Sequence, residues 1–230
     1  MKIKIFLIIV FLGITPAAFS QKNVAVKVGD NLTNVSDIMP DSIKYLLPTF
    51  TKGYVLFKNG ERSGARFNYN MLTGEVQFLS EEDSIMDIAN PSDVHLVSME
   101  GHFFVKYKKY YIDIIDDGDV QLGVHRRLRI TDNRKDAGYG GTSSLMRVET
   151  VTSLTEAGVD LTTNEELIYT EYNTFYVIKG KNTSVAGRKV FLKAFPEHKA
   201  EIENFIKDNK VDFSKEMDLR SLMIYCKSLD

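Results

Sequence analysis

The chain has 230 residues, with 29 Lys and Arg against 31 Asp and Glu and a formal net charge of −2. A general binder of nucleic acid or of anionic membrane needs a basic excess, so this balance argues against both. The single cysteine, Cys226, excludes an intramolecular disulfide, and stability has to come from burial.

The first 20 residues read as an export signal. Lys2 and Lys4 precede an apolar run over 5–14, Pro16 ends it, and Ala18 and Ser20 are the small residues that cleavage before Gln21 requires. The run is too short to cross a bilayer comfortably. No cysteine follows it, so no lipid anchor is encoded. The expectation is a mature chain without a transmembrane span, in the periplasm or outside the cell.

Residues 21–52 form a polar N-terminal arm with one short helix, opened by Asp41-Ser42 over Ile43, Tyr45, Leu46 and Leu47 and ended by Pro48. Residues 53–180 read as an antiparallel β domain. Its first hairpin turns at Asn59-Gly60, the pair that a type I′ turn favours. The return strand alternates Ala65, Phe67 and Tyr69 with Arg66, Asn68 and Asn70, which predicts one buried and one wet face. Thr73-Gly74 turns into Glu75-Val76-Gln77-Phe78. Further short strands follow over 84–89, 94–99, 103–107 and 110–115, with turns at Asn90-Pro91-Ser92, Glu100-Gly101, Lys108-Lys109 and Asp117-Gly118.

The strand over 120–130 has the clearest two faces. Val120, Leu122, Val124, Leu128 and Ile130 are apolar, interrupted by Arg126, which would need a carboxylate partner if buried. Gln121, Gly123, His125, Arg127 and Arg129 share the other face. Residues 131–144 break the periodicity and read as a long loop. A strand is expected over 145–152, a loop over 154–163, and strands again over 167–171 and 174–179.

Residues 181–230 read as a helical tail. Ser184 is expected to cap a helix carrying Val190, Phe191 and Ala194. A second helix over 197–209 aligns Ile202, Phe205 and Ile206. Ser214 is expected to cap a third, with the stripe Leu219, Leu222, Met223, Cys226 and Leu229. The fold class is therefore mainly β with α: an antiparallel meander, as a curled sheet, a sandwich or a barrel-like form, followed by a short C-terminal helical segment packed on it.

Two groups of residues resemble a pattern in uncharacterised exported envelope proteins of Gram-negative bacteria. The first is Gly53, Val55, Asn59-Gly60, Ala65, Asn68-Tyr69-Asn70, Glu75-Val76, Phe78 and Ala89-Asn90-Pro91. The second is Phe195-Pro196, Ile202, Phe205-Ile206, Lys210-Val211-Asp212-Phe213, Asp218-Leu219 and Tyr225. The resemblance implies a β meander with a helical tail. It carries no catalytic residue.

The candidate ligand-binding residues are His125, Arg127, Arg129, Arg134 and Tyr139. Arginine suits an anionic glycan, phosphate or carboxylate, because its planar fork makes two parallel hydrogen bonds. The competing reading is a solvated face balanced by Asp113, Asp116, Asp117 and Asp119. Those aspartates lack calcium-loop spacing. His95, His102, His125 and His198 lack zinc-site spacing, although His95 and His102 flank one turn. No metal or cofactor is expected. Phe67, Tyr69, Phe103, Tyr107 and Tyr111 are either core or a sugar platform. The sequence points to a non-catalytic envelope module for a protein partner or an anionic envelope glycan. The alternatives are a hydrolase with its site near 131–144 and the basic strand, or a carrier of an apolar ligand.

Overall fold

The structure is a computed structural model that describes residues 24–27, 39–137, 141–144 and 165–229. The expected signal over 1–20, most of the polar arm, the strand at 145–152, the loop at 154–163 and Tyr139 lie outside the described residues.

The chain is mainly antiparallel β. In chain order its strands are β1 (Val24–Lys27), β2 (Thr51–Phe57), β3 (Arg62–Asn70), β4 (Glu75–Leu79), β5 (Ile85–Asp87), β6 (Val94–Met99), β7 (His102–Tyr107), β8 (Tyr110–Asp116), β9 (Val120–Ala137), β10 (Gly141–Ser144), β11 (Glu165–Lys179) and β12 (Asn182–Val185). Among the described residues they form one sheet, ordered β1-β11-β9-β8-β7-β6-β2-β3-β4-β5, with β10 pairing on β9 and β12 on β11. The sheet is not closed: among the described residues β1 and β5 each pair on one side only. Among the described residues the α-helices are α1 (Asp41–Lys44), α2 (Arg188–Ala194), α3 (Lys199–Asp208) and α4 (Glu216–Ser228). No helix among the described residues is long and apolar enough to cross a membrane.

Two hydrophobic clusters hold this arrangement. Phe67, Tyr69, Val97, Phe104 and Tyr111 anchor the first, on one face of the sheet. The second joins Val120, Leu122 and Val124 of β9 and Phe175 and Val177 of β11 to Phe191, Ile202, Leu219, Leu222, Met223 and Cys226 of the tail. The helical stripe thus finds its partner on the apolar face of β9. Between the clusters sits Arg126, whose guanidinium lies 3.5 Å from Asp113 Oδ2 and 3.2 Å from Glu216 Oε2. His102 completes the group, its Nδ1 2.8 Å from the same Asp113 oxygen. The carboxylates that a half-buried arginine requires are present.

β8 and β9 pair only where Asp113 faces Val124, Ile114 faces Gly123 and Asp116 faces Leu122. Beyond that the two strands part, and the tip of the β3–β4 hairpin enters the gap. Leu128 N–H donates to Met71 O (2.9 Å) and Tyr111 N–H to Gly74 O (3.0 Å). The Tyr69 hydroxyl donates to Arg126 O (2.8 Å). The inserted tip therefore takes over hydrogen bonds that the neighbouring strand no longer makes.

Several sequence expectations change. Residues 131–137 and 141–144 are not a loop: β9 runs on to Ala137, and β10 pairs antiparallel with it. Backbone pairing with Glu165, Glu166, Leu167 and Ile168 of β11 satisfies a stretch whose sequence shows no alternation. Asn68 and Asn70 are buried instead of wet, because residues 45–49 lie over that end of β3. Asn68 Oδ1 accepts from Leu47 N–H at 3.0 Å while its Nδ2 donates to Leu47 O at 2.8 Å, a side chain standing in for a strand partner. At Asn59-Gly60 only Gly60 takes positive φ, at 90°. The two-residue turn with both φ positive is Glu100-Gly101, at 45° and 78°.

In the tail, Ser184 lies in β12 and α2 starts after Gly187. Ser214 does not cap α4; its N–H and hydroxyl both bond Asp212 Oδ1, and Lys215 precedes the helix. His95 does not face His102, which sits opposite Met99.

Candidate binding groove

The inserted hairpin tip makes a groove on the outer face of the sheet. One wall is Leu72, Thr73, Gly74 and Glu75 of the tip. The other comes from Lys106, Lys108, Lys109 and Tyr110 around the β7–β8 turn, with His125 and Arg127 of β9 at the base. The volume is about 920 Å³, at the upper end of small-molecule sites.

Close packing at the base follows from one glycine. Gly74 has φ of 75°, a conformation that side chains rarely adopt. A Cβ there would lie 3.0 Å from Tyr110 Cβ and 3.2 Å from His125 Nε2. The missing side chain lets the tip seat against the Tyr110–His125 stack, whose ring centroids are 3.8 Å apart and tilted by 3°. The Tyr110 hydroxyl in turn lies 2.6 Å from that of Tyr176.

The groove is basic. Lys106, Lys108, Lys109 and Arg127 face it against one carboxylate, Glu75. Lys106 is committed: its Nζ lies 2.8 Å from both Glu75 oxygens and 4.4 Å from the Tyr111 ring centroid. Burial raises the Glu75 carboxyl, and Lys106 opposes the rise. Lys108 and Lys109 are exposed on the turn. Arg127 lies 4.7 Å from the Tyr172 ring centroid, and its Nε is buried without a hydrogen-bond partner. No described carboxylate pairs with it.

His125 is neutral here. Burial, helped by the Arg127 charge, pushes its pKa from 6.5 down to about 4. Its imidazole offers the groove hydrogen-bonding nitrogens in place of a cation.

The balancing carboxylates expected from the sequence are turned elsewhere. Asp113 is buried on the opposite face with Arg126 and His102. Asp116 pairs with Lys227 of α4. Asp117 is held below the usual carboxylate range by Gln121 and by its bond from Gly118 N–H.

Of the sequence candidates, His125 and Arg127 come together in the groove. Arg129 lies two residues along the same face, 5.5 Å from the Tyr172 ring centroid. Arg134 belongs to β9, where its backbone pairs opposite Glu166 and Ser144. Tyr139 lies outside the described residues. Of the aromatic set, Phe67, Tyr69 and Tyr111 are core, while Phe103 is exposed. Sequence reasoning missed Lys106, Lys108, Lys109, Tyr110 and Tyr172. The Lys108-Lys109 pair was the one local signal, and on its own it marks only a turn.

The chain matches no protein-family model, no curated protein and no solved structure. The functional reading rests on the groove.

Proposed function

We propose that the chain is an exported, non-catalytic binding module whose groove takes an anionic ligand of the cell envelope. The observation that carries this is the charge at the groove: three cations, Lys108, Lys109 and Arg127, without a carboxylate partner among the described residues, above a neutral Tyr110–His125 stack. Charge-assisted hydrogen bonds from such groups are about twice as strong as neutral ones, and arginine adds bidentate geometry. The export signal over 1–20 supports the envelope setting.

The test uses inositol hexakisphosphate, a compact polyanion, titrated by calorimetry at low and then raised salt. Combined Lys108→Ala, Lys109→Ala and Arg127→Ala is expected to weaken binding by roughly 1–3 kcal/mol per lost contact and to flatten the salt dependence. Thermal stability should stay close to wild type. Arg126→Ala, on the opposite face, should instead lower the melting temperature and leave the groove's charge intact. Wild-type affinity in the triple variant at low salt would sink the reading.

A further inference from the structure

We propose that β5 is an open docking edge that takes, as an added strand, an extended segment of a partner protein in which apolar residues alternate with Lys or Arg. The proposal does not depend on the groove. It starts from the end of the sheet. Among the described residues β5 pairs with β4 alone, Leu79 facing Ile85, Phe78 facing Met86 and Gln77 facing Asp87. Its outer edge therefore presents backbone N–H and C=O groups that no described strand takes. Edge strands are commonly protected by a lysine, a proline or a bulge. Ile85-Met86-Asp87 has none of these; only its shortness, three residues, limits pairing. Ile85 and Met86 are 46% and 49% exposed. Met86 shares a sheet face with Phe78, which packs on the first hydrophobic cluster together with Ile88. The apolar layer thus runs out at Met86, half uncovered, and an apolar residue on an added strand continues it.

Charge selects the occupant. The chain carries no Lys or Arg from Phe67 to Val105, whereas Glu81, Glu82, Asp83 and Asp87 stand just before β5 and within it. Arg66 reaches Asp83, and Asp87 accepts from Gln77 at 2.8 Å. Glu81 and Glu82 are exposed in the turn, and no cation among the described residues pairs with them. A second copy of this chain would bring its own carboxylates to the same edge, where like charges repel. A strand with Lys or Arg at every second position instead sets cations on the Ile85–Asp87 face and apolar residues beside Met86. In such strand addition the backbone hydrogen bonds give affinity and the alternate side chains give selection.

A fluorescently labelled synthetic peptide of alternating Val and Lys, titrated by anisotropy at low and raised salt, tests this. It should bind, and amide exchange over residues 85–87 should slow in the complex. Met86→Lys, which sets a cation on the edge, should weaken binding about tenfold or more and leave the melting temperature unchanged. Glu81→Gln with Glu82→Gln should weaken binding and flatten its salt dependence. The triple variant of Lys108, Lys109 and Arg127 should bind the peptide at least as well as wild type, which keeps this test separate from that of the groove. The same peptide with every backbone nitrogen methylated keeps its charge and loses its donors, and it should not bind. Absence of binding by the parent peptide overturns the proposal, as does wild-type affinity in Met86→Lys or in the methylated peptide. A Val–Glu peptide that binds as tightly overturns the choice of a basic partner. A wild-type dimer in ultracentrifugation that Met86→Lys dissolves assigns the edge to a second copy, and the proposal falls.

Discussion

Arg126 and Arg127 are neighbours in sequence with opposite roles, and strand geometry alone separates them. Successive side chains point to opposite faces, so Arg126 enters the seam between the two apolar clusters and Arg127 the outer groove. The seam supplies carboxylates from Asp113 and Glu216, whereas the groove supplies none to Arg127 among the described residues. His125 shares the face of Arg127 and reports its environment through protonation. Its folded pKa of about 4 lies below the ordinary 6.5, so between those values the unfolded chain binds the extra proton. Its contribution to stability is therefore complete above pH 6.5 and is lost as the pH falls from 6.5 towards 4. An NMR titration of the His125 ring should show a midpoint near 4, and unfolding of His125→Gln should be less pH-dependent across that window. A midpoint near 6.5 would mean that the ring is solvated and the groove base open.

Among elements, the β3–β4 hairpin tip and α4 each complete something that β9 begins. The tip fills the gap where β8 leaves β9, and it builds one wall of the groove as it does so. On the opposite face, α4 covers the apolar residues of β9 with Leu219, Leu222, Met223 and Cys226, all fully buried. Polar ties reinforce the docking: Arg220 bonds Ile115 O, and Lys227 bonds Asp116. Helices this short are marginal in isolation, so this packing is what holds them. Leu222→Ala removes a side chain with no exposure and should cost about 2–5 kcal/mol in denaturant unfolding. A loss of under about half a kilocalorie, the size of a surface change, would mean that the tail does not depend on this contact.

For the whole molecule, the open sheet places its two faces in different trades. One face is given to the two clusters and the ionic seam, and the other carries Tyr110, His125, Arg127 and Tyr172. This arrangement needs no disulfide, in keeping with a chain whose one cysteine, Cys226, is buried on α4. Export is itself testable. Intact mass of the protein recovered from the envelope or medium should begin at or near Gln21. A recovered chain that still carries Lys2 and Lys4 would remove the envelope setting from the functional reading.

The sequence by itself determined the class of the fold and most of its local detail. Period-two alternation over 120–130 gave the two faces of β9, and the spacing of Leu219, Leu222, Met223 and Cys226 gave the buried stripe of α4, because both patterns are set within a few residues. His125 and Arg127 were legible as sharing one face for the same reason. What only the tertiary structure decided depends on partners far away in the chain. The strand over 131–137 exists through pairing with 165–168, Asn68 is buried by residues 45–49, and the 120–130 pattern does not reveal the parting of β8 from β9. The groove follows from that parting. Gly74, Lys106, Lys108, Lys109 and Tyr110 meet His125 and Arg127 across 15 to 53 residues of sequence, and no local periodicity encodes such a meeting.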